Sequence, residues 1–429
     1  VVDGKAQEVE TLTLEDCLRI GIDNNLSLEG KRKEIQKSKY GVSENRSKLL
    51  PQITVIAGYN NNFDPPVSVT DGSSYGVPYN ITKTLQHTAN AGLEMQMPLF
   101  NQTLYTSMSI AKVMEEISRL SYGKAREDII MQISKMYYLG QVTAEQIVLI
   151  KANITRLEEL RDITQAFFDN GMSMEVDLKR VNINLENLKV QYDNAQAMMK
   201  QQLNMLKYIM DYPAEKEFVL TPVNTDSITT VALTGLSENI YELQLSQSQV
   251  QLAEKQKKII SNGYIPSLSL TGSWRYAAYT DKGYHWFHSG PSNHWFRSYG
   301  LGLTLRIPIF DGLDKTYKIK KAMIDIENSK LAWENARKSL QTQYLNAVND
   351  LMNNQRNFKK QKDNYLLAED VYTVTSDRYR EGIASMTEVL QDEMQMSEAQ
   401  NNYISAHYNY RVTNLMLLKL TGQIESLVK

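Results

Sequence analysis

Two hydrophobic periods divide this chain, and each recurs. Ala89, Ala91, Leu93, Met95 and Met97 alternate with Asn90, Gly92, Glu94 and Gln96, and Tyr299, Leu301, Leu303, Leu305 and Ile307 alternate with Gly300, Gly302, Thr304 and Arg306. A period of two makes one strand face apolar and leaves the other wet. Leu268, Leu270, Trp274 and Tyr276 against Ser269, Thr271, Ser273 and Arg275 repeat the pattern, and Ile53 to Tyr59 shows it weakly. Elsewhere the period is helical, as in the seam of Ile319, Met323, Ile326, Ser329, Ala332, Trp333, Ala336 and Leu340. The prolines leave 99–212 and 309–429 free of helix breakers, so both stretches can hold very long helices. Each has one break, Phe168-Asp169-Asn170-Gly171 and Tyr379-Arg380-Glu381-Gly382, with Gly where a helix C-terminus favours it. Each stretch therefore reads as a helical hairpin.

The chain also matches itself. Leu50-Pro51-Gln52-Ile53-Thr54-Val55 corresponds to Ile265-Pro266-Ser267-Leu268-Ser269-Leu270 at an offset of 215. Gly92 to Asn101 corresponds to Gly302 to Asp311 at 210, and Gly171 with Asp177 to Gly382 with Glu388 at 211. Duplication at this period predicts two copies of one helix, strand, strand, long-hairpin unit. The first spans 1–212, with strands at about 52–62 and 88–99 and a hairpin at about 103–211. A linker follows at 213–235, and the second copy spans 236–429, with strands at about 266–279 and 298–309 and a hairpin at about 313–420. The fold class is mainly α with a small β part.

Composition narrows the function. Gly 21 and Pro 10 make 31 of 429 residues, about 7%, too little punctuation for a wholly β protein. A net charge of −2 gives no field for nucleic acid, and the one Cys with five His offers little for a zinc site of the usual kind. No phosphate loop, nucleophile elbow or Ser/His/Asp grouping is present, so no enzyme and no cofactor are expected. Met198-Met199 and Met394-Gln395-Met396 read as filling between helices rather than as soft-metal ligands. The chain opens at Val1 with no apolar leader, as a mature or trimmed form would.

No stretch approaches the ~18 apolar residues of a membrane helix, so contact with a bilayer would be through strands. Strands of about 9 to 11 residues with one apolar face have the length to cross a membrane in a barrel. Four strands cannot close one, and an open edge in lipid leaves backbone groups unsatisfied. Three chains would supply twelve. Helices over 103–167 and 313–380 would each extend ~100 Å, enough to cross much of a periplasm.

With these features the chain resembles the TolC family of outer-membrane efflux proteins, over nearly its whole length. The resemblance runs through Leu12-Thr13-Leu14-Glu15-Asp16-Cys17-Leu18 with Asn24-Asn25, and through Leu50-Pro51 and Ile265-Pro266. It continues in Met97-Pro98-Leu99-Phe100 and Ile307-Pro308-Ile309-Phe310-Asp311-Gly312, and ends in the two Gly-containing tips. It implies a homotrimer with a twelve-stranded barrel in the outer membrane, continued by an α-helical barrel in the periplasm. The implied function is a passive exit duct for drugs or other small toxic compounds. The implied partners are a periplasmic adaptor and an inner-membrane transporter of the RND type. The alternatives are the outlet of a type I protein secretion system and, from another class, a periplasmic structural or adaptor coiled coil, which needs no lipid-facing strands.

Residue roles follow from the same resemblance. Asp177 and Glu388 fall on carboxylates that line the family's closed periplasmic entrance, where threefold symmetry makes each a ring. Ser385-Met386-Thr387-Glu388 reads equally as a capping box. The family's second acidic ring falls on Gln391, and its latching base on Ala384. Tyr379 keeps the latch tyrosine, so a Tyr379–Asp177 hydrogen bond is expected, unless Arg378, Arg380 or Arg180 replaces the salt bridge. Adaptors dock at the tips, here Asn170-Gly171 and Glu381-Gly382. The segment with Trp286, Phe287, Trp295 and Phe296 reads as an extracellular loop whose aromatics lie at the lipid interface or pack over the barrel mouth. A metal site from its His285, His288 and His294 is the weaker reading, since no carboxylate completes it. Its counterpart, Asp64 to His87, reads as a polar loop.

Overall fold

The structure is a computed structural model that describes residues 10–71, 73–83, 85–222, 235–280 and 295–428. In chain order its elements are β1 (Glu10–Leu12), α1 (Leu14–Asn24), α2 (Leu26–Ser47), β2 (Gln52–Asn61), β3 (Val67–Asp71), β4 (Tyr79–Lys83) and β5 (His87–Phe100). There follow α3 (Gln102–Asp169), α4 (Glu175–Met210), β6 (Phe218–Leu220), α5 (Tyr241–Asn262), β7 (Ser267–Thr280), β8 (Trp295–Arg306), α6 (Asp314–Arg380) and α7 (Met386–Leu420). The helices dominate, and α3 and α6 run unbroken for 68 and 67 residues because no proline or helix-ending glycine interrupts them.

The chain divides into two compact units, one within Val1–Ile35, Ser118–Gln247 and Leu331–Lys429, the other within Gln36–Ile117 and Ser248–Lys330. In the first, β1 pairs in parallel with β6, Glu10 opposite Phe218 and Leu12 opposite Leu220. α1 begins with a capping box between Thr13 and Asp16, which fixes the direction in which its apolar face meets the core. That core gathers Leu12, Leu18, Leu28, Ile130, Ile133, Leu206, Met210 and Leu415. Cys17 lies within it, and burial pushes its thiol up to about 12, which makes it an inert apolar side chain. Separate clusters join the long helices, around Leu340, Tyr344, Leu351, Tyr410 and Leu417, and around Leu157, Leu185, Tyr379 and Val389.

The second unit holds a four-stranded antiparallel sheet in the order β2-β5-β7-β8. Ile53 faces Met95, Leu93 faces Trp274, and Trp274 faces Tyr299, so the apolar sets of all four strands share one face. Gln52, Gln96, Thr271 and Gly302 line up on the other. β2 and β8 are the edges, and β8 is exposed at every position.

Three expectations change here. The Asp64 to His87 segment is not merely a polar loop, because β3 and β4 pair within it, Val69 opposite Ile81. The Val-Ser-Val-Thr and Tyr-Asn-Ile-Thr alternations carry this hairpin, but Pro65-Pro66 and their shortness disguise it. Trp295 and Phe296 sit on the first two positions of β8, opposite Ala278 and Ala277, rather than in the connection before it. Aromatic residues suit the pleated surface, which lets the strand start earlier. Met198 and Met394 are more than half exposed, while Met396 is buried, so only part of the methionine is filling within the chain. Trp286, Phe287, His285, His288 and His294 lie outside the described residues, as do 223–234 of the linker.

Glu127 on α3 is 4% exposed, and burial raises its carboxyl to about 7, with Lys419 partly offsetting and Glu425 and Asp128 adding to the rise. The unfolded chain ionises this group near ~4.3, so it loses its proton before the folded chain does. The site therefore costs nothing below that pH, and stability falls as pH rises to about 7, by about 1.4 kcal/mol per unit. Glu127→Gln should raise the apparent Tm at pH 8 and leave it unchanged at pH 4. Thermal unfolding in detergent at both pH values checks this, and an equal shift at both would show that folding does not raise the carboxyl pKa.

Candidate functional site at the helical tips

Both hairpin turns close by the same hydrogen-bond scheme. At the end of α3, the Gly171 amide donates to Phe168 O (2.9 Å) and the Met172 amide to Phe167 O (2.7 Å). At the end of α6, the Gly382 amide donates to Tyr379 O (2.9 Å) and the Ile383 amide to Arg378 O (2.8 Å). These pairs are the bonds of a Schellman cap, which needs a left-handed residue, and Gly171 and Gly382 take φ of 70° and 75°. A side chain at either would cost about 1–2 kcal/mol of backbone strain.

The two restarts differ. α7 begins at Ser385 with a complete capping box: Glu388 N donates to Ser385 Oγ and Ser385 N to Glu388 Oε2, both at 3.3 Å. α4 begins at Met174, whose side chain caps nothing, and carries Glu175 and Asp177 in its first turn instead. There the positive end of the helix dipole favours acids. Asn170, Gly171, Glu381 and Gly382 are all exposed.

Tyr379 does not meet Asp177. It is 5% exposed, its ring lies 5.6 Å from that of Phe167, and its hydroxyl is 3.3 Å from Thr164 Oγ1. Thr164 itself donates to Leu160 O at 2.7 Å. Burial raises the Tyr379 hydroxyl pKa, the Thr164 bond opposes the rise, and Asp177 adds to it. The tyrosine is thus a packing residue between α3 and α6. Ala384 joins the edge of the same cluster. The expected hydrogen bond fails because Asp177 is turned to Arg180, 3.3 Å away one turn along α4.

Arg180 is therefore the base beside Asp177, and it also reaches Thr387 Oγ1 on α7 at 3.5 Å. Arg380 turns to Glu159 on α3 (3.3 Å) and Asp377 (3.5 Å). Sequence reasoning missed Thr164 and Glu159, since both contacts join helices more than 200 residues apart in sequence and have no local spacing. It also missed a polar hub farther along α3. Arg156 pairs with Glu369 (3.2 Å) and lies over the Tyr372 ring, while Asn153 Nδ2 donates to Gln400 Oε1 at 2.7 Å. Glu393, 5% exposed beside this hub, has its pKa raised by burial, against a lowering by Arg156.

No group of three or more metal-ligating side chains occurs among the described residues. The tips offer exposed carboxylates, a cross-helix arginine and a rigid turn backbone.

Tyr379→Phe should cost roughly 0.5–1.5 kcal/mol, because Thr164 keeps its bond to Leu160, whereas Tyr379→Ala should cost on the order of 3–5 kcal/mol through the cavity left behind. Hydrogen exchange of the 376–383 amides reads both. Equal acceleration by the two variants would mean that the hydroxyl, not the ring, holds the tip.

The family model described as "Outer membrane efflux protein" matches residues 20–210 and 225–423. Outer membrane protein TolC of Vibrio cholerae serotype O1 is 21% identical over 396 residues, 89% of this chain and 84% of that protein. The probable efflux pump outer membrane protein TtgC of Pseudomonas putida is 23% identical over 382 residues, 83% of this chain and 75% of that one. In fold, the chain is similar to CusC (TM-score 0.79, 15% identity, 95% of this chain and 91% of that one). It is also similar to the outer membrane protein VceC from Vibrio cholerae (TM-score 0.75, 14% identity, 95% and 96%). The chain belongs to the outer membrane efflux protein family.

Proposed function

We infer that this member of the outer membrane efflux family is the exit duct of a tripartite pump. It sits in the outer membrane as a homotrimer and passes drugs or other small toxic compounds from the periplasm to the outside. The observation that carries this reading is the four-stranded sheet, apolar on one face, wet on the other, with β2 and β8 as its edges among the described residues. In lipid each unsatisfied backbone group costs several kcal/mol, so the edge of one chain needs the opposite edge of the next. Three chains close twelve strands with the wet face inward. Tyr299, Leu301, Leu303 and Leu305, all at least 60% exposed, are then the lipid face of β8.

The helices support the same assembly. Leu331, Leu345, Met352 and Leu366 on α6 recur in steps of seven or fourteen, as do Val176, Ile183 and Val190 on α4, and all are exposed. A seven-residue repeat is the signature of a coiled-coil seam, here left exposed among the described residues. The repeated caps at Gly171 and Gly382 support the division into two copies, 1–212 and 236–429, joined by 213–235.

At the tips, Asp177 and Glu388 would each become a ring of three around the axis and favour cations at the periplasmic entrance. Arg180 takes the place of the missing base at 384, and Tyr379 acts through packing. The exposed turns Asn170-Gly171 and Glu381-Gly382 would seat the periplasmic adaptor, which links the duct to an inner-membrane transporter of the RND type.

Native mass spectrometry of detergent-extracted protein should give a trimer, and planar bilayers should give ion conductance. A stable folded monomer would overturn the reading. Glu388→Gln should lower the K⁺ over Cl⁻ permeability ratio by about two-fold at low salt, since it removes three lumen charges with little change of shape. Arg180→Gln should raise the open fraction if the Arg180 contacts to Asp177 and Thr387 hold the closed tip.

A further inference from the structure

We propose that Glu94 and Arg275 form a charge-cancelling clamp on the wet face of the sheet and that, together with Arg306, they bias the strand-lined part of the duct toward anionic solutes. This rests on the duct reading above, and goes beyond it by giving the barrel a preference opposite in sign to that of the tips.

Among the described residues of β2, β5, β7 and β8, the wet face carries three formal charges: Glu94, Arg275 and Arg306. Arg275 Nη2 is ion-paired with Glu94 Oε1. The register makes this a diagonal pair, because Arg275 stands opposite Gly92 and Glu94 opposite Ser273. Gly92 allows it. A Cβ there would come within 2.4 Å of Trp274 O, 2.8 Å of Arg275 Cα and 2.9 Å of its Cγ, so only glycine lets the backbone of β7 and the stem of Arg275 pass this close to β5. The pair lies in an open trough of about 610 Å³ whose other polar lining, including Gln52, Thr54 and Ser273, is uncharged.

The consequence is electrostatic. The clamp cancels two charges and leaves Arg306, the last residue of β8, as the net charge of the wet face, one per chain and three in a trimer. Glu94 thereby keeps a second ring of three from appearing. The clamp is half exposed, with side-chain exposures of 51% for Arg275 and 36% for Glu94, so a solute in the lumen can feel either partner. Charges on a wall act over a Debye length, ~30 Å at 0.01 M salt and ~3 Å at 1 M, so the effect belongs to dilute salt.

The test is the reversal potential of the purified trimer in planar bilayers under a KCl gradient, at low and at high mean salt. Glu94→Gln should free Arg275 and raise the Cl⁻ over K⁺ permeability ratio by about two-fold in dilute salt, with the shift collapsing at 1 M. Arg306→Gln should move the ratio the other way. The double variant Glu94→Gln with Arg275→Gln should undo the shift of the single one, because it removes the pair as a neutral unit. Native mass spectrometry of each variant confirms that trimers are compared. If the duct conducts but Glu94→Gln leaves the ratio unmoved in dilute salt, or the double variant stays shifted, the clamp does not set selectivity and the proposal falls alone. If no variant and no wild-type protein conducts, the duct reading falls first.

Discussion

An open sheet edge in hydrocarbon is the constraint on which the proposed assembly depends. Among the described residues, β5 and β7 each have a strand on both sides, while β2 and β8 each have one on a single side. Water satisfies the backbone groups of such an edge, and lipid does not. The exposed apolar set of β8 argues that water is not what it meets, so the proposed trimer follows from two facts together: the lipid-suited face and the unfinished ladder. Either fact alone is compatible with a soluble sheet. The inward face then has to be wet, which is where Glu94, Arg275 and Arg306 acquire meaning.

The helical part obeys a different rule. A long helix can satisfy its own backbone everywhere except at its ends, so the ends are where specific chemistry is required. Both turns use a glycine at positive φ and the same crossed pair of amide bonds, yet they restart differently, with a capping box at Ser385 and Glu388 but bare dipole stabilisation by Glu175 and Asp177. Glu388 is thus tied to its own helix start as well as being a candidate lumen charge, while Asp177 spends its charge on Arg180. The two carboxylates are equivalent in the repeat and inequivalent in their bonding.

Between the ends, buried polar groups fix how the helices sit against each other. His407 is fully buried, and its Nε2 accepts from Arg411 Nε at 3.0 Å, which leaves the ring proton on Nδ1, facing Glu145 Oε2 at 3.4 Å. Tyr403 donates to the other Glu145 oxygen at 2.9 Å, and burial with that neighbour raises its hydroxyl pKa. The Arg411 bond lies within α7, but a one-turn slip of α7 along α3 would take Tyr403 and His407 away from Glu145 and leave buried polar groups without a hydrogen bond, at a cost of about 1–3 kcal/mol each. Apolar packing alone would tolerate such a slip. We read this cluster and the Arg156 hub as devices of register, consistent with their positions in the middle of long, otherwise repetitive helices.

By itself the sequence determined the long helices, the four strands of the sheet and the helix breaks, because each depends on local geometry, while the short β3–β4 hairpin escaped it. Alternation sets strand faces, absence of proline permits long helices, and a glycine at the right place ends them. The capping box at Ser385 was legible for the same reason, its partners being three residues apart. What only the tertiary structure decided are the pairings between distant segments: Tyr379 with Thr164, Arg180 with Thr387, Arg380 with Glu159 and Arg275 with Glu94. The resemblance to a family pointed Tyr379 at Asp177, but a closer base on the same helix claims that carboxylate, and the ring is drawn into the Phe167 cluster instead. Such choices depend on which groups compete for one partner in three dimensions, and no spacing along the chain encodes that competition.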